Sequence, residues 1–144
     1  MDFSYYNPVN VTFGQSKLPF IKKLIGDRRT LLITDSIFKE LGFIDEIKNY
    51  TNNIVFTLDD VNTQPNFFNL KQQYEKVWKY DFEVIVALGG GSVIDTAKVL
   101  SVYDLNKDFY FVENLIKGNI AKSGYNIIPV IAIPTTATTG SEVT

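Results

Sequence analysis

Hydrophobic and polar positions along the chain form short apolar runs separated by stretches with helical spacing. The apolar runs lie at 31–33, 54–56, 84–88 and 127–133. Between them, apolar residues recur every three to four positions, as they do along the buried face of an amphipathic helix. Strand-like runs that alternate with helical stretches predict βαβ units, and therefore a parallel sheet with helices packed on it.

Three helical stretches carry clear apolar stripes. Thr34-Asp35-Ser36 precedes the first and offers short polar side chains that can cap it. Pro65 precedes the second, at a position where a helix can open. The stripes are Ile37, Leu41 and Ile44 in the first stretch, Phe67, Leu70, Tyr74, Val77 and Trp78 in the second, and Val93, Ala97 and Leu100 in the third.

The character of each apolar run predicts its place in the sheet. The run at 84–88 is continuous, which is typical of a central strand covered on both faces. Pro129 interrupts the run at 127–133 and removes one ladder hydrogen bond, so an early or irregular strand position is expected there. Val9, Val11 and Phe13 alternate with polar residues, which predicts a half-buried strand at the margin of the sheet.

Composition narrows the class of protein. With 144 residues, 45% of them hydrophobic, the chain can bury one core, and we expect a single domain over residues 1–144. The net charge of −2 is scattered, and no apolar run approaches the roughly 20 residues of a membrane helix, so we expect neither nucleic-acid nor membrane binding. The absence of cysteine favours a cytoplasmic protein. The absence of histidine removes the commonest general base and metal ligand.

The strongest candidate site is the triple-glycine turn Gly89-Gly90-Gly91, followed by Ser92, between the central strand and the third helix. Glycine lets a ligand approach the backbone closely, and the N–H groups at the start of a helix attract anions such as phosphate. Ser92 can cap the helix or donate its hydroxyl to a phosphate. A tight turn without a ligand is the alternative, because Ile94 stands where a Rossmann fingerprint has its third glycine.

Two further candidates follow other apolar runs. Thr135, Thr136 and Thr139 belong to a hydroxyl-rich loop after the last run, where ligands bind in open α/β sheets. A polar turn with helix caps is the alternative for this loop. Asp35 follows the first run, where a carboxylate can bind both ribose hydroxyls and repel a 2′-phosphate, which favours NAD over NADP. A helix N-cap explains Asp35 equally well.

The two motifs together resemble a known family. Gly89-Gly90-Gly91-Ser92-x-x-Asp95-x-x-Lys98, followed by Pro134-Thr135-Thr136-x-x-Thr139-Gly140-Ser141-Glu142, is similar to the paired signature of iron-containing (group III) alcohol dehydrogenases. The resemblance extends over essentially the whole chain. It implies the N-terminal, Rossmann-like α/β nucleotide-binding domain of a fold shared with dehydroquinate synthase, cut off before an all-helical domain that holds Fe²⁺ or Zn²⁺.

The resemblance also implies residue roles. In the triple-glycine turn, Gly90, Gly91 and Ser92 would embrace the pyrophosphate of NAD or NADP, and Gly89 is predicted to belong to the same cofactor site. Asp95 would lie near the nicotinamide, and the positions of Thr135, Thr136 and Thr139 would contact the nucleotide. Thr138 stands where the family often has glycine, and Gln64-Pro65 where it often has Asn-Pro. The family's metal ligands, one aspartate and three histidines, would lie beyond residue 144.

The implied activity of the complete protein is metal-assisted hydride transfer between nicotinamide and an alcohol or aldehyde. We expect residues 1–144 alone to be inactive, to expose apolar surface and to form a homo-oligomer. The start of the chain and the stretch around Asp59-Asp60 look similar to phosphonoacetaldehyde reductase-like members. The alternatives are a lyase of the dehydroquinate synthase type, a non-catalytic nucleotide-binding or assembly module, and a plain structural α/β domain.

Overall fold

Strands and helices alternate along the part of the chain that a computed structural model describes, which is residues 7–61, 66–119, 124–137 and 140–143. The strands are β1 (Thr30–Ile33), β2 (Ile54–Leu58), β3 (Val84–Gly89), β4 (Val102–Tyr103), β5 (Asn126–Ile127) and β6 (Val130–Pro134). The α-helices are α1 (Ile21–Ile25), α2 (Ser36–Glu40), α3 (Phe43–Tyr50), α4 (Phe67–Val77), α5 (Gly91–Ser101) and α6 (Phe109–Ile116). Short 3₁₀ helices lie at Leu18–Phe20 and Ser141–Val143.

The main sheet is parallel, as predicted, with the strand order β2-β1-β3-β6. Thr30 pairs with Val84 between β1 and β3, and Ile85 pairs with Val130 between β3 and β6. Every residue of β3 is buried, which confirms the prediction of a central strand. In this doubly wound order, β2 is added on one side of β1 and β6 on the opposite side of β3, so the point at which the winding changes direction lies between β1 and β3.

Helices cover both faces of the sheet because successive strand side chains point to opposite sides. Ile85 and Ala87 face one side, where they pack with buried residues of α4, α5 and α6. Val84, Val86 and Leu88 face the other side, where they pack with α1 and α3. The predicted α/β class, a parallel sheet flanked by helices, is therefore confirmed.

The single helix predicted after β1 is wrong in detail, because two helices follow that strand. Gly42 has φ +78°, a left-handed conformation that ends α2 and reorients the chain before α3. Ile37 and Leu41 are consequently 61% and 62% exposed, whereas Ile44 of α3 is only 6% exposed. The three residues belong to two helix axes and do not form one buried stripe.

The strand predicted at residues 9–13 is also wrong. The segment has no strand conformation, and Val11 and Phe13 are 75% and 95% exposed. An alternating pattern supplies a strand with an apolar face, but ladder hydrogen bonds require a neighbouring strand as well. None of the strands in the described ranges pairs with this segment.

Pro129 divides the last apolar run, in agreement with the irregular strand position predicted for it. Before the proline, β5 pairs antiparallel with β4 in a separate two-stranded sheet. After it, β6 joins the main sheet beside β3. The carbonyl oxygen of Pro129 still accepts a hydrogen bond from the backbone N of Ile85 at 2.9 Å.

The start of α4 is fixed by a side-chain cap. The Oδ1 atom of Asn66 accepts a hydrogen bond from the backbone N of Asn69 at 2.8 Å. Pro65, at which the sequence predicts that the helix opens, lies outside the described residues. Within the described ranges, none of the helices combines the length and the apolar character needed to cross a bilayer.

Candidate functional site

The carboxyl ends of the four parallel strands meet at one edge of the sheet and surround a cleft of about 440 Å³. The connections that leave β1 and β3 run in opposite directions, and ligands of open α/β sheets bind in the crevice that this reversal creates. The predicted site residues that line the cleft are Asp35, Gly90, Gly91, Ser92, Thr135 and Thr136. Three separate sequence motifs therefore come together at one place.

The glycine turn and the threonine loop are in direct contact. Gly89 pairs with Pro134 across β3 and β6, and the backbone N of Thr135 donates to the carbonyl oxygen of Gly89 at 3.1 Å. A Cβ atom placed on Gly90 would lie 3.2 Å from Oγ1 of Thr136. A methyl group at Gly90 would therefore fit only if the exposed Thr136 side chain moved slightly, and it would occupy space between the two segments.

The turn leads directly into the N-terminus of α5. Gly90 is the N-cap residue and has no side-chain cap, and its carbonyl oxygen accepts from the backbone N atoms of Val93 and Ile94 at 3.1 Å each. Ser92 lies inside the first turn, so the capping role considered for it is wrong. The first turn of a helix carries a partial positive charge, which makes this part of the cleft favourable for an anion.

Asp35 has the position of an N-cap and also lines the cleft. Its Oδ1 atom accepts hydrogen bonds from the backbone N atoms of Ile37 at 3.0 Å and Phe38 at 3.4 Å. The capping alternative is therefore confirmed, and it does not conflict with ligand binding, because a carboxylate has a second oxygen. Asp35 and the glycine turn thus line the same cleft.

Two of the predicted residues do not line the cleft. A Cβ atom on Gly89 would lie 2.6 Å from Cγ2 of Val93, so this glycine permits close packing of α5 on its own strand. Asp95 is exposed, accepts a hydrogen bond from Oγ of Ser141 at 3.3 Å and lies 3.4 Å from Nζ of Lys98. Contact of either residue with a cofactor stays a prediction. Thr138, Thr139 and Gln64 lie outside the described residues.

Sequence reasoning missed the apolar side of the cleft, which is formed by Ile37, Phe38, Val61 and Val93. Ile37 and Val93 were expected only as members of buried helix stripes. Phe38 follows the capping residue by three positions, so its place in the first turn of the helix is the one available signal. Val61 follows β2 without any motif around it.

An ion pair joins two of the segments that border the cleft. Nζ of Lys39, on α2, lies 2.6 Å from Oδ2 of Asp59, which follows β2. The hydrogen bond from Lys39 lowers the pKa of Asp59, while partial burial opposes this effect. The same hydrogen bond raises the pKa of Lys39. Both groups therefore stay charged over the physiological range.

The arrangement suits a nucleoside diphosphate better than a metal ion. A helix N-terminus and threonine hydroxyls can bind phosphate oxygens, and a carboxylate can accept hydrogen bonds from ribose. The apolar side chains of the cleft can cover the remaining, less polar surface of such a ligand. In the described ranges, three or more His, Cys, Asp or Glu side chains do not come together in a group that could hold a metal ion. The described residues that line the cleft fit a ligand of this kind, and they do not form a group suited to a metal ion.

Comparison with known proteins agrees with this assignment. The family model described as iron-containing alcohol dehydrogenase matches residues 8–144. The mitochondrial hydroxyacid-oxoacid transhydrogenase of Xenopus laevis is 35% identical over 125 residues, which are 83% of this chain and 27% of that protein.

Two solved structures have the same fold. An iron-containing alcohol dehydrogenase from Thermotoga maritima is 32% identical with a TM-score of 0.76, and the match covers 99% of this chain and 40% of that one. The sulfoacetaldehyde reductase from Bifidobacterium kashiwanohense, solved in complex with NAD⁺, is 25% identical with a TM-score of 0.80, and the match covers 100% of this chain and 39% of that one. The chain thus spans about two fifths or less of the length of these proteins.

Proposed function

This chain belongs to the iron-containing alcohol dehydrogenase family, and we propose that it binds the NAD(P) cofactor of an enzyme that transfers a hydride between nicotinamide and a small alcohol or aldehyde. One observation carries the proposal. The cleft at the ends of β1 and β3 brings together Asp35, the glycine turn and the loop with Thr135 and Thr136, although these segments are far apart in sequence.

In the proposed complex the pyrophosphate lies at the start of α5. The backbone at Gly90 and Gly91, the hydroxyl of Ser92 and the hydroxyls of Thr135 and Thr136 surround it, and Thr139 belongs to the same loop. A side chain at Gly90 would intrude into this space, which supports close approach of a ligand to the backbone. Gly89 contributes by letting α5 begin close to the end of β3.

Asp35 binds the ribose of the adenosine half in this proposal, and its negative charge disfavours the 2′-phosphate of NADP. We therefore propose NAD as the preferred cofactor, in keeping with the NAD⁺ complex of the sulfoacetaldehyde reductase. When bound, NAD(P) supplies the hydride acceptor or donor. The residues of this chain bind and orient it, and Asp95 is proposed for the nicotinamide end of the site.

We assign this chain the cofactor-binding half of the reaction and no metal ligand, since the described residues offer no such group and the sequence has no histidine. The Fe²⁺ or Zn²⁺ expected in the whole protein belongs to other residues. We expect no dehydrogenase activity from residues 1–144 alone. A cytoplasmic location and a homo-oligomeric state complete the proposal.

Calorimetric titration of the purified chain with NADH, NADPH, ADP-ribose and AMP tests the proposal. ADP-ribose should bind nearly as well as NADH, because the cleft residues contact the diphosphate and the adenosine ribose. AMP should bind more weakly, because it lacks the second phosphate that the start of α5 is expected to hold. Failure of NADH, NADPH and ADP-ribose to bind at millimolar concentration would overturn the proposed function.

A further inference from the structure

We propose that Thr34 is a positioning residue that fixes the two sides of the cleft relative to each other, through a side-chain hydrogen bond between the ends of β1 and β3. The proposal rests on the proposed function, because its consequence is cofactor affinity. Thr34 is not among the residues that line the cleft, and it belongs neither to the glycine turn nor to the threonine loop.

The hydroxyl of Thr34 connects the two strands between which the cleft opens. Thr34 is fully buried and follows the last residue of β1. Its Oγ1 atom donates to the carbonyl oxygen of Leu88 at 2.8 Å. The last backbone pair between β1 and β3 is Ile33 with Ala87, so the hydroxyl adds a cross-link one residue beyond the ladder.

The backbone of Thr34 binds the third strand of the cleft. Its N atom donates to the carbonyl oxygen of Leu58, at the end of β2, at 2.8 Å. Its own carbonyl oxygen accepts from the backbone N of Val61 at 3.4 Å. The three polar groups of one residue thus contact the end of β3 on one side and the end of β2 with the residues after it on the other, at the carboxyl edge of the sheet.

Each of these contacts lies next to a residue that lines the cleft. Asp35 follows Thr34 directly, Gly90 lies two residues after Leu88, and Val61 receives its backbone bond from Thr34 itself. A carboxylate on one side of the cleft and helix N–H groups on the other can bind one ligand only if their separation is held closely. The bond from Thr34 to Leu88 is the side-chain contact placed to hold it.

A purely structural role makes a different prediction. A buried carbonyl oxygen such as that of Leu88 needs a hydrogen-bond partner whatever the protein binds, so loss of the hydroxyl will lower stability in either case. Thr30 provides the matched comparison because it is also fully buried and lies at the opposite end of β1. Its Oγ1 atom donates to the carbonyl oxygen of Arg28 at 3.0 Å, far along the strand from the cleft.

The first test measures NADH affinity by calorimetry in the 144-residue chain and in the variants Thr34→Val, Thr34→Ser and Thr30→Val. Valine keeps the shape of threonine and removes the hydroxyl, whereas serine keeps the hydroxyl. We expect the Kd for NADH to rise about tenfold in Thr34→Val, and to stay within about twofold in Thr34→Ser and Thr30→Val. Equal affinities of Thr34→Val and Thr30→Val would overturn the proposal.

The second test needs no ligand. Backbone hydrogen exchange should become faster at Ile37, Phe38 and Val61 in Thr34→Val, because this variant loses the hydrogen bond from Thr34 to Leu88. In Thr30→Val, which keeps that bond, exchange at the same three positions should stay unchanged. Unchanged exchange at all three positions would overturn the positioning role. If NADH does not bind even the unmodified chain, the proposed function fails, and the exchange result still decides the role of Thr34.

A third pair of variants covers the case in which Thr34→Val does not fold. Thr34→Ala and Thr34→Ser both lack the methyl group and differ only in the hydroxyl. The alanine variant should show the weaker NADH binding and the faster exchange at Val61. Identical behaviour of this pair would overturn the proposal in the same way.

Discussion

At the scale of single residues, Asp35 combines a local and a ligand-directed role. Its Oδ1 atom caps α2, and the residue also lines the cleft. Asp35→Asn separates the two roles, because asparagine is an equally good N-cap but has no charge. We expect calorimetric titration to show that the ratio of NADPH to NADH affinity rises about tenfold in this variant.

Stability measurements provide the control for that prediction. Asp35→Asn should unfold at the same temperature as the unmodified chain, whereas Asp35→Ala should lose about 1 kcal/mol because its cap is gone. If Asp35→Asn leaves the preference between NADH and NADPH unaltered, Asp35 acts as a cap only.

Substitution by alanine should have different effects at the adjacent glycines Gly89 and Gly90 of the turn. A Cβ atom on Gly89 would overlap with the β-branched side chain of Val93 at 2.6 Å, so Gly89→Ala should lower the free energy of unfolding by about 1–3 kcal/mol. A Cβ atom on Gly90 meets only the exposed Thr136 side chain, at 3.2 Å. Gly90→Ala should therefore fold normally and bind ADP-ribose several-fold more weakly.

Chemical denaturation and calorimetry on the two variants check this pair of expectations. Gly26→Ala serves as a control for stability alone, since Gly26 has φ +61° and lies outside the cleft lining. It should lose stability and keep ADP-ribose affinity in the fraction that remains folded. Undiminished ADP-ribose binding by Gly90→Ala would contradict close approach of the ligand to the turn.

At the scale of elements, the sequence predicts β3, the glycine turn and α5 well for a physical reason. A strand buried on both faces needs a continuous apolar run, and the helix after it shows its buried face in Val93, Ala97 and Leu100. Pattern and environment agree here. The segment that carries the proposed phosphate site is thus also the segment in which local sequence most fully determines structure.

The sequence fails where structure depends on partners or on a single backbone angle. Gly42 at φ +78° divides the region after β1 into α2 and α3, and helical spacing that continues across the break conceals it. Alternation at Val11 and Phe13 cannot supply a neighbouring strand. The contact of Asp59 with Lys39 and the position of Val61 depend on how β2 lies beside β1, which no local pattern encodes.

The ion pair between α2 and the end of β2 leads to a prediction about pH. Because its pKa lies below the ordinary value of 3.8, Asp59 stabilises the folded chain above that pH, and this contribution disappears as the pH falls through the lowered pKa. Lys39→Met should reduce Tm by a few degrees at most at pH 7, since exposed pairs contribute little. The difference in Tm from the unmodified chain should shrink as the pH falls from 5 to 3.

Lys71→Met is the control for that series, because Lys71 and Glu75 form an exposed pair within one helix, 3.7 Å apart, away from the cleft. Thermal unfolding followed by circular dichroism at several pH values gives the comparison. A difference between Lys39→Met and the unmodified chain that stays constant down to pH 3 would show that the pair does not link α2 to β2 energetically.

At the scale of the whole molecule, the cleft depends on the entire sheet. Asp35, Val61, Gly90 and Thr135 follow four different strands, and their relative positions result from the strand order β2-β1-β3-β6. Among the described residues, the helices place no charged side chain in the buried core beside the sheet, which is built from aliphatic and aromatic side chains with a few buried threonine and serine hydroxyls. A rigid apolar sheet thus holds a polar site at its edge, and the loops supply the chemistry.

Large apolar side chains that remain outside the two cores lead to the last prediction. Val11 and Phe13 lie two residues apart and are largely exposed, and Leu105 is 93% exposed at another place in the chain. Exposed apolar groups so close together favour association of two chains, because contact between the chains removes this apolar surface from water.

We expect sedimentation velocity to show a concentration-dependent oligomer of the 144-residue chain. The double variant Val11→Ser/Phe13→Ser should sediment as a monomer, whereas Leu105→Ser should associate like the unmodified chain. A monomer at every concentration of the unmodified chain would contradict the expected self-association, and loss of the oligomer in Leu105→Ser alone would move the contact away from residues 11–13.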